Sequence, residues 1–321
     1  MNPHRRLLVT ASAALLSPLA RAQSDNWPSR PIRFIVPFTA GGANDLLGRA
    51  AAEGAAKALG QQVIVENKPG SGTVLGTELA ARSAADGYTW LVSSAGVVSN
   101  SMIRKVGYKD EQLVPVAMIG LAPSVVVVPA NSPYKTLKEL VDASRKSAQG
   151  LHWSTAGTGS TPHFVQGLLE TKYGAKLDLV PYKSGAESIT AVLAGQVDAT
   201  SEASIVVLPY VKAGKLRALA DTWSARISAY PELATAAEQG FPEIKIAHWA
   251  GLHAPAGVPP AVLDRMAAAV DAAMKTDATQ QRLKAMGIEP IGGTRASFGH
   301  FIDEERARLG AVVKATGMKE D

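Results

Sequence analysis

Two glycine-rich turns, each set between a β-branched run and a helical pattern, restrict this chain to a fold that alternates strand and helix. The first is Pro37-Phe38-Thr39-Ala40-Gly41-Gly42-Ala43-Asn44-Asp45. An apolar run, residues 32–38, precedes it, and residues 45–59 carry small and apolar side chains at three-to-four spacing. The second is Trp153-Ser154-Thr155-Ala156-Gly157-Thr158-Gly159-Ser160-Thr161-Pro162-His163, followed by a helical pattern over 164–172. Gly41 and Gly42 can take positive φ, and a turn without side chains lets its N–H groups converge on an oxygen at the positive end of the next helix. Ser160 suits an N-cap and Pro162 the first helical turn, while Thr158, Ser160 and Thr161 add hydroxyls. Either turn alone is equally well explained as glycine closing a strand-to-helix junction. Together they point to two anion cradles able to grip both ends of a diacid.

The rest of the chain keeps this alternation, which calls for parallel sheet. Strands are expected at 62–66, 89–93, 151–154, 177–181, 197–200 and 217–221, and helices at 74–84, 137–147, 187–194 and 204–213. Ser93, Ser94 and Gly96 fall at the carboxyl end of a strand, where α/β folds bind ligands, so Ser94 is either a site residue or an ordinary turn serine. Two long apolar segments, 114–128 and 244–254, are the expected crossings between two domains. This gives a first lobe of residues 23–124 and 248–321 and a second of 125–247, with a ligand cleft between them.

Residues 1–22 have the form of an export signal: His4-Arg5-Arg6, an apolar stretch from Leu7 to Ala20, and Ala20-Arg21-Ala22 as a cleavage site. The stretch is shorter than the roughly 20 residues of a membrane helix, and the chain has no cysteine to carry a lipid. A periplasmic location follows. Removing the leader deletes three arginines and no acids, leaving 30 basic against 28 acidic side chains, too balanced for nucleic acid.

An enzyme needs a nucleophile, an acid–base pair or a metal, and none is marked. The six histidines show no H-E-x-x-H or other metal spacing, and Gly157-Thr158-Gly159-Ser160 matches neither a nucleophile elbow nor a phosphate loop. His163, beside the second turn, is either a ligand donor or a helix-start histidine held by its own hydrogen bonds. No cofactor is expected.

Several runs in order resemble one family. Trp27-Pro28-Ser29-Arg30-Pro31-Ile32, Val36-Pro37-Phe38 with Gly41-Gly42 and Asp45, Glu66-Asn67-Lys68-Pro69-Gly70 and Asp86-Gly87-Tyr88-Thr89 come first. Then follow Gly157-Thr158-Gly159-Ser160-Thr161-Pro162-His163, Val180-Pro181-Tyr182-Lys183, Gly195-Gln196-Val197-Asp198, Ala213-Gly214-Lys215-Leu216-Arg217-Ala218-Leu219-Ala220 and Ala254-Pro255-Ala256-Gly257. The ordered set closely resembles the Bug family, the periplasmic solute receptors of tripartite tricarboxylate transporters. The resemblance implies a two-lobed α/β binding protein of the Venus-flytrap type, monomeric, that delivers a small carboxylated solute to integral-membrane transporter subunits. It places the ligand's carboxylate between the two turns, at Phe38, Gly42 and Ala43 and at Thr158, Ser160 and His163, with Asp45 capping its helix. A sensor role with the same receptor is the near alternative and a hydrolase the distant one.

Two departures from the family pattern face the cleft. After Tyr182-Lys183 the usual Gly-Ser is reversed to Ser184-Gly185, and the common aromatic-Asp-Asn after Asp198 is replaced by Ser201-Glu202-Ala203. Glu202 either points into the cleft, favouring a hydrogen-bond donor on the ligand, or points to solvent.

Cleavage after Ala22 predicts a mature N-terminus at Gln23. N-terminal sequencing of the periplasmic fraction should find it, and a chain still beginning at Met1 there would contradict the leader.

Overall fold

The computed structural model describes residues 27–320, so the expected leader and its cleavage site lie outside the described residues. Within them the strands join one hydrogen-bonded path whose two ends are separate α/β units.

The first unit is β1 (Ile32–Val36), α1 (Ala43–Leu59), β2 (Val63–Asn67), α2 (Val74–Ala81), β3 (Thr89–Ser93) and α3 (Gly96–Ile103). β1 lies between β2 and β3, parallel to both. Its side chains alternate between two cores: Ile32, Phe34 and Val36 go to one and Ile35 to the other. That is why the strand reads as an unbroken apolar run. α1 buries its alanine stripe, and at Gly54 its backbone approaches Ala273 so closely that an added Cβ would lie 2.0 Å from that residue's own Cβ.

β4 (Leu113–Pro129) is a single strand of 17 residues that serves both units. Its residues 113–123 pair with β9 (Ala247–Pro255) and with the short β10 (Glu289–Pro290). From Ser124 onward it pairs instead with β7 (Ala199–Ala203) and β8 (Leu216–Asp221). Beyond the switch Val125 and Val127 enter one core and Val126 and Val128 the other, whereas the half paired with β9 carries two irregularities, between Pro115 and Ala117 and between Met118 and Gly120.

The second unit contains α4 (Leu137–Lys146), β5 (Leu151–Thr155), α5 (Thr161–Tyr173), β6 (Leu177–Pro181), α6 (Gly185–Leu193) and α7 (Ser204–Lys212). β5 lies between β6 and β7, parallel to both. The chain returns through Thr222, whose N–H donates to the Ser124 carbonyl at 2.8 Å and whose carbonyl accepts from Ile246 at 2.8 Å. Its hydroxyl is within reach of both the Ser124 and Ile246 carbonyls, so the two crossings are stitched side by side. After β9 come α8 (Pro260–Met274), α9 (Asp277–Ala285) and α10 (Arg295–Thr316), the last packing on β4, α3 and α5 and so spanning both units.

The expectation of a parallel sheet is corrected at the centre. β4 runs antiparallel to β7, β8 and β9, as β9 does to β3, because segments that cross between units enter each sheet from the far end. α3 was not expected, since its glycine, two valines and two serines are weak helix formers. β7 extends beyond the expected 197–200 to Ala203, which places Glu202 inside a strand.

Asp221 ends β8 at the second crossing and is fully buried. One oxygen accepts from the Trp223 N–H at 2.8 Å and the other has no partner, and burial pushes its pKa up to about 7. As pH rises from about 4 to about 7 the unfolded chain loses this proton first, so native stability falls across that window. Asp221→Asn keeps the acceptor and removes the titration. Unfolding free energies from denaturant titration should converge near pH 4 and favour the variant by about 1 to 3 kcal/mol above pH 7. A difference between the two proteins that does not change with pH would contradict this.

Candidate functional site

β1 leads into the first turn, which is held from below by a carboxylate. Asp45, in the first turn of α1, accepts from the Gly41 N–H at 2.9 Å, Asn67 Nδ2 at 2.8 Å and Arg49 Nε at 2.9 Å. Burial raises its pKa, but these donors together outweigh that and leave it below its ordinary value. Asn67 Nδ2 also donates to the Phe38 carbonyl. Asp45 therefore braces the turn and leaves Phe38, Gly42 and Ala43 to face the cavity.

Only one of the two glycines uses positive φ: Gly41 lies at +88°, whereas Gly42 is the N-cap in an ordinary extended conformation at −78°. The expectation that both need glycine's freedom is thus corrected for Gly42. An added Cβ there would find only the Thr39 carbonyl, 3.9 Å away.

The second turn follows β5 and uses positive φ at Gly157 and Gly159. His163 does not line the cavity, although it was a candidate ligand donor. It is buried in the first turn of α5, where its Nδ1 accepts from the Gly159 N–H at 3.3 Å, and burial lowers its pKa to about 4. It is a neutral brace, the counterpart of Asp45. Thr158 and Ser160 do line the cavity, and the buried Ser160 Oγ has no partner. Ser94 lines it as well, just before α3.

The cavity between the turns has a volume of about 460 Å³. Its wall includes six helix N-caps: Gly42, Thr73 and Ala95 of α1, α2 and α3, and Ser160, Ser184 and Ala203 of α5, α6 and α7. Each helix brings roughly half a positive charge and free N–H groups to its start, so a βα junction repeated three times in each unit yields an anion-seeking chamber. Thr73, at φ +81°, sits in the left-handed region that β-branched residues avoid, and Asn100 Nδ2 holds its hydroxyl at 3.1 Å.

Several wall residues had escaped the sequence. Arg104, at the end of α3, donates to the Thr158 carbonyl at 2.7 Å and pairs with Glu320 at 2.7 Å, tying the second turn to the first unit. It belongs to no motif. His248 and Trp249 enter from β9, inside the expected crossing.

Glu202 is 5% exposed and lines the cavity, which excludes a solvent-facing position. Burial raises its pKa to about 7 even though the Ala203 N–H opposes the shift, and its Oε1 has no partner. His248 Nε2 lies 4.0 Å from its Oε2 and is also unpartnered, and burial lowers this imidazole's pKa to about 4. A larger cavity of about 730 Å³ lies elsewhere, against the flanks of α5 and α10, and no helix opens into it.

The chain matches the family described as tripartite tricarboxylate transporter family receptor over residues 47–318. It is 34% identical to protein BugT of Bordetella pertussis, with 99% of each chain covered. Among solved structures it is similar to R. palustris Rpa4515 with adipate, at a TM-score of 0.82 and 29% identity, covering 91% of this chain and 99% of that one. It is also similar to MatC (Rpa3494) from Rhodopseudomonas palustris with bound malate, at a TM-score of 0.77 and 27% identity, covering 89% and 100%.

Gly42→Val introduces a side chain that the backbone accepts and that projects into the chamber. Its melting temperature without ligand should equal that of the wild type, while calorimetry should show no binding of any small acid that the wild type takes up. Wild-type affinity would exclude the first turn from the site.

Proposed function

The chain belongs to the tripartite tricarboxylate transporter receptor family, whose members are periplasmic solute-binding proteins and not enzymes, and from that premise we propose a transport role for it. It closes two lobes around a small carboxylated solute and hands that solute to the integral-membrane subunits of a tripartite transporter. The lobes are residues 23–124 with 248–321, and residues 125–247. The mature protein is released into the periplasm by cleavage after Ala22 and works as a monomer.

The observation that carries this reading is the meeting of six helix N-caps, three from each unit, on one cavity. A carboxylate is the guest that such a surface stabilises, since N–H groups and dipole ends reach it without a counter-charge. Ser160 Oγ, buried without a partner, supplies a hydroxyl donor at the same place. Phe38, Gly42, Ala43, Ser94 and Thr158 form the walls around it, and closure removes water that would otherwise weaken every one of these bonds. Relatives solved with adipate and with malate agree with an acid as ligand.

A ligand that needs both lobes binds only the native state. At a hundredfold excess over its dissociation constant it should stabilise the protein by roughly 2.7 kcal/mol, enough to raise the melting temperature measurably. A panel of mono-, di- and tricarboxylates, amino acids and aromatic acids should contain at least one such ligand. Absence of any shift across the panel would overturn the receptor reading.

A further inference from the structure

The two departures from the family pattern meet in space. The carboxyl group of Glu202 rests on Gly185, the first residue of α6: a Cβ built there would lie 2.6 Å from Oε1, 2.9 Å from Cδ and 3.0 Å from Oε2. Gly185 does not adopt positive φ, so glycine is present here for space and not for conformation. The residue that follows Glu202, Ala203, is the N-cap of α7. Glu202 thus stands between two helix openings that would otherwise face the cavity. It is the only carboxylate among the described residues that line it.

We propose that Glu202 fills the α6 and α7 end of the chamber as a built-in anion, so that the ligand carries one carboxylate, at the α1 and α5 end, and a hydroxyl or ammonium donor at the other. Above the pKa of about 7 to which burial raises Glu202, a dicarboxylate of the same length would place its second charge against an ionised carboxyl in a dry cavity, where like charges repel strongly. Glu202 Oε1 is an acceptor with nothing to accept from, and a buried polar atom left in that state is costly. A terminal donor on the ligand satisfies it. His248 Nε2, equally unpartnered and adjacent, completes the fit: a hydroxyl can donate to Glu202 and accept from the imidazole N–H, whereas an ammonium finds two acceptors if the other tautomer is present. The two cations on the wall do not offset Glu202. Arg104 is committed to Thr158 and Glu320, and Lys183 is exposed.

This inference rests on the carboxylate-receptor reading, and two matched ligand series separate the two. The first is γ-hydroxybutyrate, γ-aminobutyrate and succinate, and the second is ε-hydroxycaproate, ε-aminocaproate and adipate. Isothermal calorimetry on the wild type at pH 8.5, where Glu202 is ionised, should show a donor-bearing acid binding at least about tenfold tighter than the diacid of the same length. Glu202→Gln should narrow that gap to about threefold or less, mainly by improving the diacid, and should weaken the amino acid more than the hydroxy acid if ammonium is the natural donor. A diacid that binds wild type as tightly as its partners overturns this inference and leaves the receptor reading intact. A donor preference that persists unchanged in folded Glu202→Gln overturns the role of Glu202. Should that variant fail to fold, Gly185→Ala displaces the same carboxyl by steric contact, and an unchanged gap there overturns the role equally. If no acid of either series, nor any in the wider panel, binds wild type, the receptor reading falls and takes this inference with it.

Discussion

The backbone hydrogen bonds of one strand hold the architecture together. β4 pairs with β9 and β10 before residue 124 and with β7 and β8 from there on, so a single strand belongs to the sheets of both units. A strand shared in this way cannot be lost from one sheet without stripping donors and acceptors from both. The return crossing is fastened to it at Ser124 and Ile246 through Thr222. Two antiparallel strands bonded side by side resist stretching and sliding but still allow bending and twisting, which is the property a hinge between two lobes requires.

Much of this was visible in the residues, and the exceptions have definite physical causes. Alternating apolar runs and glycine turns located most elements, because burial on both faces of a sheet leaves β-branched runs that few other environments produce. The long segment around Val125 to Val128 announced a crossing for the same reason. Strand direction was hidden, since composition is indifferent to which end of a strand enters a sheet. α3 was hidden because its stability comes from packing on α10 and not from propensity.

At the site, the two turns were legible and the division of labour inside them was not. Asp45 and His163 occupy equivalent positions, each accepting from a glycine N–H of the turn before its helix. One is a carboxylate and the other a neutral imidazole, so nothing in residue type links them. They serve as braces, which frees the glycines and hydroxyls to face inward. Arg104 and His248 were illegible for a different reason: each reaches the chamber from an element whose position only the tertiary structure determines. Glu202 stood out as a departure, but its orientation depended on β7 running on to Ala203.

The register across β4 gives the chamber a mechanical asymmetry. His248 lies opposite Ala122 and Glu202 opposite Val125, so this pair straddles the point where β4 changes partners. A rotation displaces each atom in proportion to its distance from the axis, and groups beside the fulcrum hardly move. If the two units rotate about this point, the Glu202–His248 pair is the part of the chamber such a rotation displaces least.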